Sequence, residues 1–155
     1  MKFPGPILSA FLTCMLVSGC ASRSRSVYAD FKSPSYTDAW DPLDELVFKT
    51  EIPGASGACD VVLTVRHTDS YPSQELRLIV GVHDGNAGEA SDTVVLRLAD
   101  EEGRWLGKTS YGVVTMTDTL RRGIIPTRGG MITVRPDSKI PVSGISKIGI
   151  SLETR

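Results

Sequence analysis

The most regular feature of the chain is alternation. From about residue 45 onward, short apolar runs with period two are separated by Gly, Pro, Asp and Asn. In Asp60-Val-Val-Leu-Thr-Val-Arg-His67 the period puts Val61, Leu63 and Val65 on one face, as in a strand with one side buried. Leu76, Leu78, Val80 and Val82 repeat the pattern against Arg77 and His83, and Val94, Leu96 and Leu98 repeat it against Thr93 and Arg97. Leu46–Ile52, Val113–Leu120, Met131–Arg135 and Ile145–Leu152 complete a set of seven predicted strands, the last with Ile148, Ile150 and Leu152 facing together. The intervals free of Gly and Pro are filled by β-branched residues, which leaves no room for helices. Turn chemistry joins the runs: Asp84-Gly-Asn-Ala-Gly88 and Asp100-Glu-Glu-Gly103 close two of them, and Arg128-Gly-Gly130 reads as a tight hairpin. The prediction is an all-β, single-domain antiparallel β-sandwich or jelly-roll-like fold.

The first residues obey a different rule. After Met1-Lys2, the uncharged apolar run Ile7 to Val17 is too short to span a bilayer, which takes about 20 residues. It has the length of the apolar region of an export signal. Leu16-Val17-Ser18-Gly19-Cys20 then has the form of a lipobox, with small residues beside the scissile bond and a thiol to take a diacylglycerol. Residues 1–19 are therefore predicted to be a removed signal, and Cys20 the acylated first residue of the mature chain. Two or more acyl chains give stable anchoring where one is marginal. Ala21-Ser-Arg-Ser-Arg-Ser26 is small and polar and is predicted to be structureless, giving a tether over residues 20–27 and a folded domain over 28–155. Arg23 and Arg25 are placed to meet anionic headgroups, at about 1 kcal/mol each, or to be plain solvated charges. No Asp follows Cys20 and the next charges are basic, which points to an outer-membrane lipoprotein on the periplasmic face.

Composition narrows the field. The chain has 155 residues, 41% hydrophobic and 23% charged, as expected for one globular domain. Loss of Lys2 with the signal leaves 16 basic against 18 acidic residues, a formal net charge of −2, and the two signs are interspersed. Nucleic acid is not an expected partner. Of the three cysteines, Cys14 leaves with the signal and Cys20 is alkylated, so Cys59 has no partner for an intrachain disulfide and reads as a structural thiol.

Candidate chemistry is sparse. No Gly-x-Ser-x-Gly, catalytic Cys/His pair or phosphate-binding glycine loop is present, so the chain reads as a non-enzyme without a cofactor. His67 with Asp69, and His83 with Asp84, supply too few ligands for a zinc site unless those strand ends meet. Asp84, Asn86 and Asp92 bracket a turn but have the spacing of no calcium loop. Trp40, Tyr71, Trp105 and Tyr111 could stack on sugar rings if they were exposed and coplanar, Trp105 with Tyr111 in particular, or could fill a sandwich core.

Taken in order, several segments resemble the GldH-type gliding-motility lipoproteins of Bacteroidota. They are the lipobox at Cys20, Trp40, Val65-Arg-His-Thr-Asp-Ser-Tyr71-Pro72 with Leu76, Leu98-Ala-Asp-Glu-Glu-Gly-Arg-Trp105-Leu-Gly107, and Gly144-Ile-Ser-Lys-Ile-Gly149-Ile-Ser-Leu-Glu153. The resemblance implies a membrane-anchored accessory protein of the gliding machinery, linked to type IX secretion, acting through envelope protein partners. Relatives occur in non-gliding members of the phylum, so motility itself is not implied. Only the acylated cysteine carries over, to Cys20. The second reading, from the aromatic residues alone, is a glycan-binding envelope lipoprotein.

Overall fold

The computed structural model describes residues 25–34, 39–50, 57–84 and 88–154. These residues form eleven strands and no helix: β1 (Arg25–Lys32), β2 (Ala39–Trp40), β3 (Leu46–Lys49), β4 (Cys59–Thr68), β5 (Glu75–Asp84), β6 (Gly88–Arg97), β7 (Lys108–Ser110), β8 (Val113–Ile124), β9 (Met131–Pro136), β10 (Val142–Ser143) and β11 (Ile145–Thr154). Every pairing is antiparallel. One sheet runs β1-β11-β4-β8-β7, the other β3-β9-β5-β6, and β2 pairs with β10 in a two-residue ribbon.

The two large sheets face each other across one core. Val61, Leu63 and Val65 of β4 and Ile148, Ile150 and Leu152 of β11 come from one side, and Leu76, Leu78, Val80, Leu96, Ile132 and Val134 from the other. The period-two pattern is thus realised as a sandwich, in which alternate side chains of both sheets fill one layer. Trp40 is fully buried in the same cluster, its indole N–H donating to the Asp44 carbonyl at 2.9 Å.

All seven predicted runs are strands, although beyond Thr50 the Leu46–Ile52 segment passes out of the described residues. Two expectations are corrected. Arg25, Ser26 and Val27, assigned to the tether, belong to β1, where Arg25 pairs with Thr154 and Ser26 with Glu153. All three side chains are exposed and show no apolar alternation, which hides the strand, because the ladder uses backbone groups and asks little of an exposed edge. Arg128-Gly129-Gly130 does form a tight turn, with Gly130 N–H donating to the Thr127 carbonyl at 3.2 Å and Gly129 at φ +77°. It is not a hairpin: it joins β8 of one sheet to β9 of the other. The three strands β2, β7 and β10 have two or three residues each, too few to show a period.

Leu78 lies fully buried on β5, between β6 and β9. Leu78→Ala is expected to lower the unfolding free energy by about 2–5 kcal/mol, as read by denaturant melts, whereas Val95→Ala on the outer face of β6, where the side chain is exposed, should change it by less than about 0.5 kcal/mol.

Candidate functional site

Cys20, the signal before it and most of the predicted tether lie outside the described residues. Arg25 opens β1, five residues after Cys20, a span of at most about 17 Å. The strand ends around Arg25 can be read from the registers: Arg25 lies opposite Thr154, Thr154 opposite Cys59, and Cys59 opposite Ile124. In the second sheet the ends of β5 and β6 (His83, Glu89) and the start of β9 (Met131) occupy the same end of the sandwich. We call this the tether end, and the other the distal end.

The tether end holds a cleft of about 390 Å³ between His83 and Glu89 on one side and Arg121 to Pro126 on the other. Two bulges in the β4–β8 ladder, between Cys59 and Val61 and between Val61 and Val62, give β8 extra residues here. In a regular strand Arg121 and Arg122 would point to opposite faces; with the bulges both are exposed. Gly123 takes φ +70° and donates its N–H to Asp60 Oδ1 at 3.0 Å, fixing the bend. Cys59 is buried beside this bend, its thiol donating to the Gly57 carbonyl at 3.7 Å. Burial, and then the neighbouring Asp60 charge, push that thiol up from its usual range, which suits a structural role.

At the distal end the structure gathers residues from separate parts of the chain. His67, at the end of β4, is fully buried. Its Nδ1 lies 2.8 Å from the Thr68 carbonyl, a bond in which the ring nitrogen donates. The Trp105 ring meets it edge to face at 4.7 Å between centroids, and the Tyr71 ring is tilted at 5.5 Å. The Tyr71 hydroxyl donates to the Glu75 carbonyl at 3.3 Å, and burial pushes its pKa up. Gly144, at φ +85°, accepts the Thr68 N–H at 2.8 Å; a Cβ there would lie 3.1 Å from Thr68 Oγ1 and 3.3 Å from the Tyr71 ring. Gly107 is tighter still, since a Cβ would stand 2.4 Å from the Thr115 carbonyl oxygen. His67 Nε2 is buried with no hydrogen-bond partner among the described residues.

These contacts decide the role of the aromatic residues. Trp40 and Tyr71 are core residues, and Trp105 packs on His67 and the core, so the four aromatics form no shared sugar-stacking face. Tyr111 alone of the four is fully exposed. His67 and His83 stand on strands of different sheets, and His83 pairs with Glu89 at 3.7 Å. Among the described residues no three His, Cys, Asp or Glu side chains gather to hold a metal. Asn86 lies outside the described residues.

Tyr111 is a residue that sequence reasoning singled out for its ring and not for its backbone. With Gly112 it makes the two-residue turn between β7 and β8, at φ +49° and +75°, the signs of a type I′ hairpin. Asn, Asp or Gly is the usual first residue of that turn, and a bulky side chain there is strained. The legible signal was a Tyr-Gly pair between Ser110 and Val113, but without turn residues of the usual kind it did not stand out.

The described residues form a small antiparallel all-β domain whose first strand opens five residues after Cys20. Residues 26–152 match the family described as GldH lipoprotein, and the chain belongs to that family. No curated protein matches the chain.

Two measurements test the distal packing and the Asp100 turn. A double-mutant cycle on His67→Ala and Trp105→Ala should give a coupling of about 0.5–1.5 kcal/mol in unfolding free energy, and additive single effects would contradict the edge-to-face contact. Asp100 accepts the N–H groups of Glu102 and Arg104 and the Arg104 guanidinium, and these bonds, the Arg104 backbone first, hold its carboxyl below the ordinary value of 3.8. Its stabilising effect is therefore present above about pH 4 and lost as pH falls through the lowered pKa. Asp100→Asn should flatten that acid limb of the stability curve, and an unchanged limb would show that the turn does not couple to folding.

Proposed function

We propose that the protein is an outer-membrane lipoprotein acylated at Cys20, facing the periplasm, that serves the gliding-motility and type IX secretion-linked envelope machinery of a Bacteroidota cell as a non-enzymatic accessory, through contacts with envelope proteins. The observation that carries the reading is the family match beginning at Ser26, six residues after the lipobox cysteine. Confinement to a membrane raises the effective concentration of tethered partners, so modest contacts suffice.

The distal end is the natural contact surface, since the tether holds the other end near lipid. Exposed Leu43, Leu106, Tyr111 and Ile140 stand on its loops. Tyr111 supports this most directly: a fully exposed ring held in a left-handed turn adds strain and no core packing, a combination typical of residues kept for function.

Crosslinking in intact envelopes and then purifying the acylated protein should recover a defined envelope partner. Tyr111→Asn suits the turn better and is expected to raise the unfolding free energy by up to about 1 kcal/mol, while reducing recovery of that partner severalfold. Recovery equal to wild type removes Tyr111 from the contact. In cells, deletion should impair motility or release of secreted proteins, and Cys20→Ala should reproduce the defect; a deletion strain normal in both would overturn the proposed role.

A further inference from the structure

The tether end has a surface chemistry of its own. From Arg121 to Arg128 the chain carries three arginines and no acid. Arg25, Arg121, Arg122 and Arg128 are all exposed, and none makes an ion pair among the described residues. Between them Ile125 leaves 65% of its surface exposed, on the lip of the 390 Å³ cleft. Of the acids at this end, Glu89 faces His83, Asp60 accepts the Gly123 N–H, and Glu153 accepts the Ser151 hydroxyl. An exposed apolar side chain sharing a cleft lip with exposed Arg121 and Arg122, on an end that also carries Arg25 and Arg128, matches the water interface of an anionic bilayer, where basic residues meet phosphates and an apolar residue reaches the acyl boundary.

Placement selects the occupant. Arg25 is the first residue of β1, and the same registers that put it opposite Thr154 put Cys59 and Ile124 at the same end. With Cys20 only five residues away, the short chain between them holds this end, and not the distal one, against the leaflet. The bulges that expose both Arg121 and Arg122 thus act where lipid would be met.

We propose that the tether end of the sandwich is a second membrane contact, in which Arg25, Arg121, Arg122 and Arg128 engage anionic lipid headgroups around an inserted Ile125. The contact rests on the reading of Cys20 as acylated, and it fixes how the domain stands: distal loops outward, strands upright on the leaflet. Docking is electrostatic and salt-sensitive, whereas the acyl anchor is not.

The test uses the full chain, processed and acylated in a bacterial host, carrying Ile125→Cys labelled with a polarity-sensitive fluorophore; Cys59 is buried and escapes labelling. The protein is placed on vesicles of phosphatidylcholine alone or of phosphatidylcholine mixed with phosphatidylglycerol. The label should shift to the blue on the anionic vesicles, lose that shift in high salt, and stay unshifted on the neutral ones. The same label at Tyr111→Cys should not move. Replacing both Arg121 and Arg122 by Ala should lower the docked-to-free ratio about thirtyfold, since each arginine near such a surface contributes about a factor of five. Flotation with vesicles is read in parallel. Protein that floats without a lipid-dependent shift at position 125 overturns the second contact and leaves acylation intact. Protein that does not float overturns acylation; Cys20 then also takes the label, and the chain beginning at Ala21 with Ile125→Cys, labelled at that position, decides whether the basic surface binds anionic lipid by itself.

Discussion

The ladder between β1 and β11 is the constraint on which the arrangement depends. It joins the strand nearest the tether to the last strand of the chain, from Arg25 opposite Thr154 to Lys32 opposite Ile148. β11 in turn lies against β4, and its Ile148, Ile150 and Leu152 fill the core. The start of β1 is therefore held by backbone hydrogen bonds to a strand that cannot move without opening the apolar layer. On the outer face, Phe31 covers Gly149, where a Cβ would stand 2.3 Å from the ring, and Arg66 lies 5.4 Å from the centre of the same ring. Close packing of an aromatic over a strand glycine restores some of the burial that glycine lacks.

That ladder also gives the domain a direction. The two ends of the sandwich are not equivalent. One end carries bulged β8, its arginines and the cleft; the other carries the aromatic packing and the exposed loops. The single-sheet origin of β8 and the passage of residues 125–130 to β9 in the other sheet close the tether end, while the β2–β10 ribbon and Trp40 close the distal one.

Most of the segments that carry the family resemblance meet at the distal end. His67 with Tyr71, Trp105, and Gly144 come from three stretches of sequence, and Trp40 joins them through β10, which runs directly into Gly144. Their common property is packing: rings against rings, and glycines where a Cβ would strike a carbonyl or a neighbouring side chain. The family signature thus reads as the means of closing one end of the sandwich. Leu106, inside one of these segments, is exposed beside the buried packing.

Period-two alternation determined the seven long strands and the inward faces of β4, β5 and β11, because a strand with one wet side can satisfy its burial in only one way. The lipobox spacing, likewise, is local chemistry and is legible without a fold. Tertiary structure alone decided that Arg25 to Val27 form a strand, because their edge pairing depends on β11, more than 120 residues away in sequence. It decided too that the Arg128 turn crosses between sheets, since a tight turn has the same local residues whether its flanking strands pair or part. The union of His67 with Trp105, and of Arg25 with Arg121, is set by register across sheets, a relation between distant strands that no run of neighbouring residues encodes.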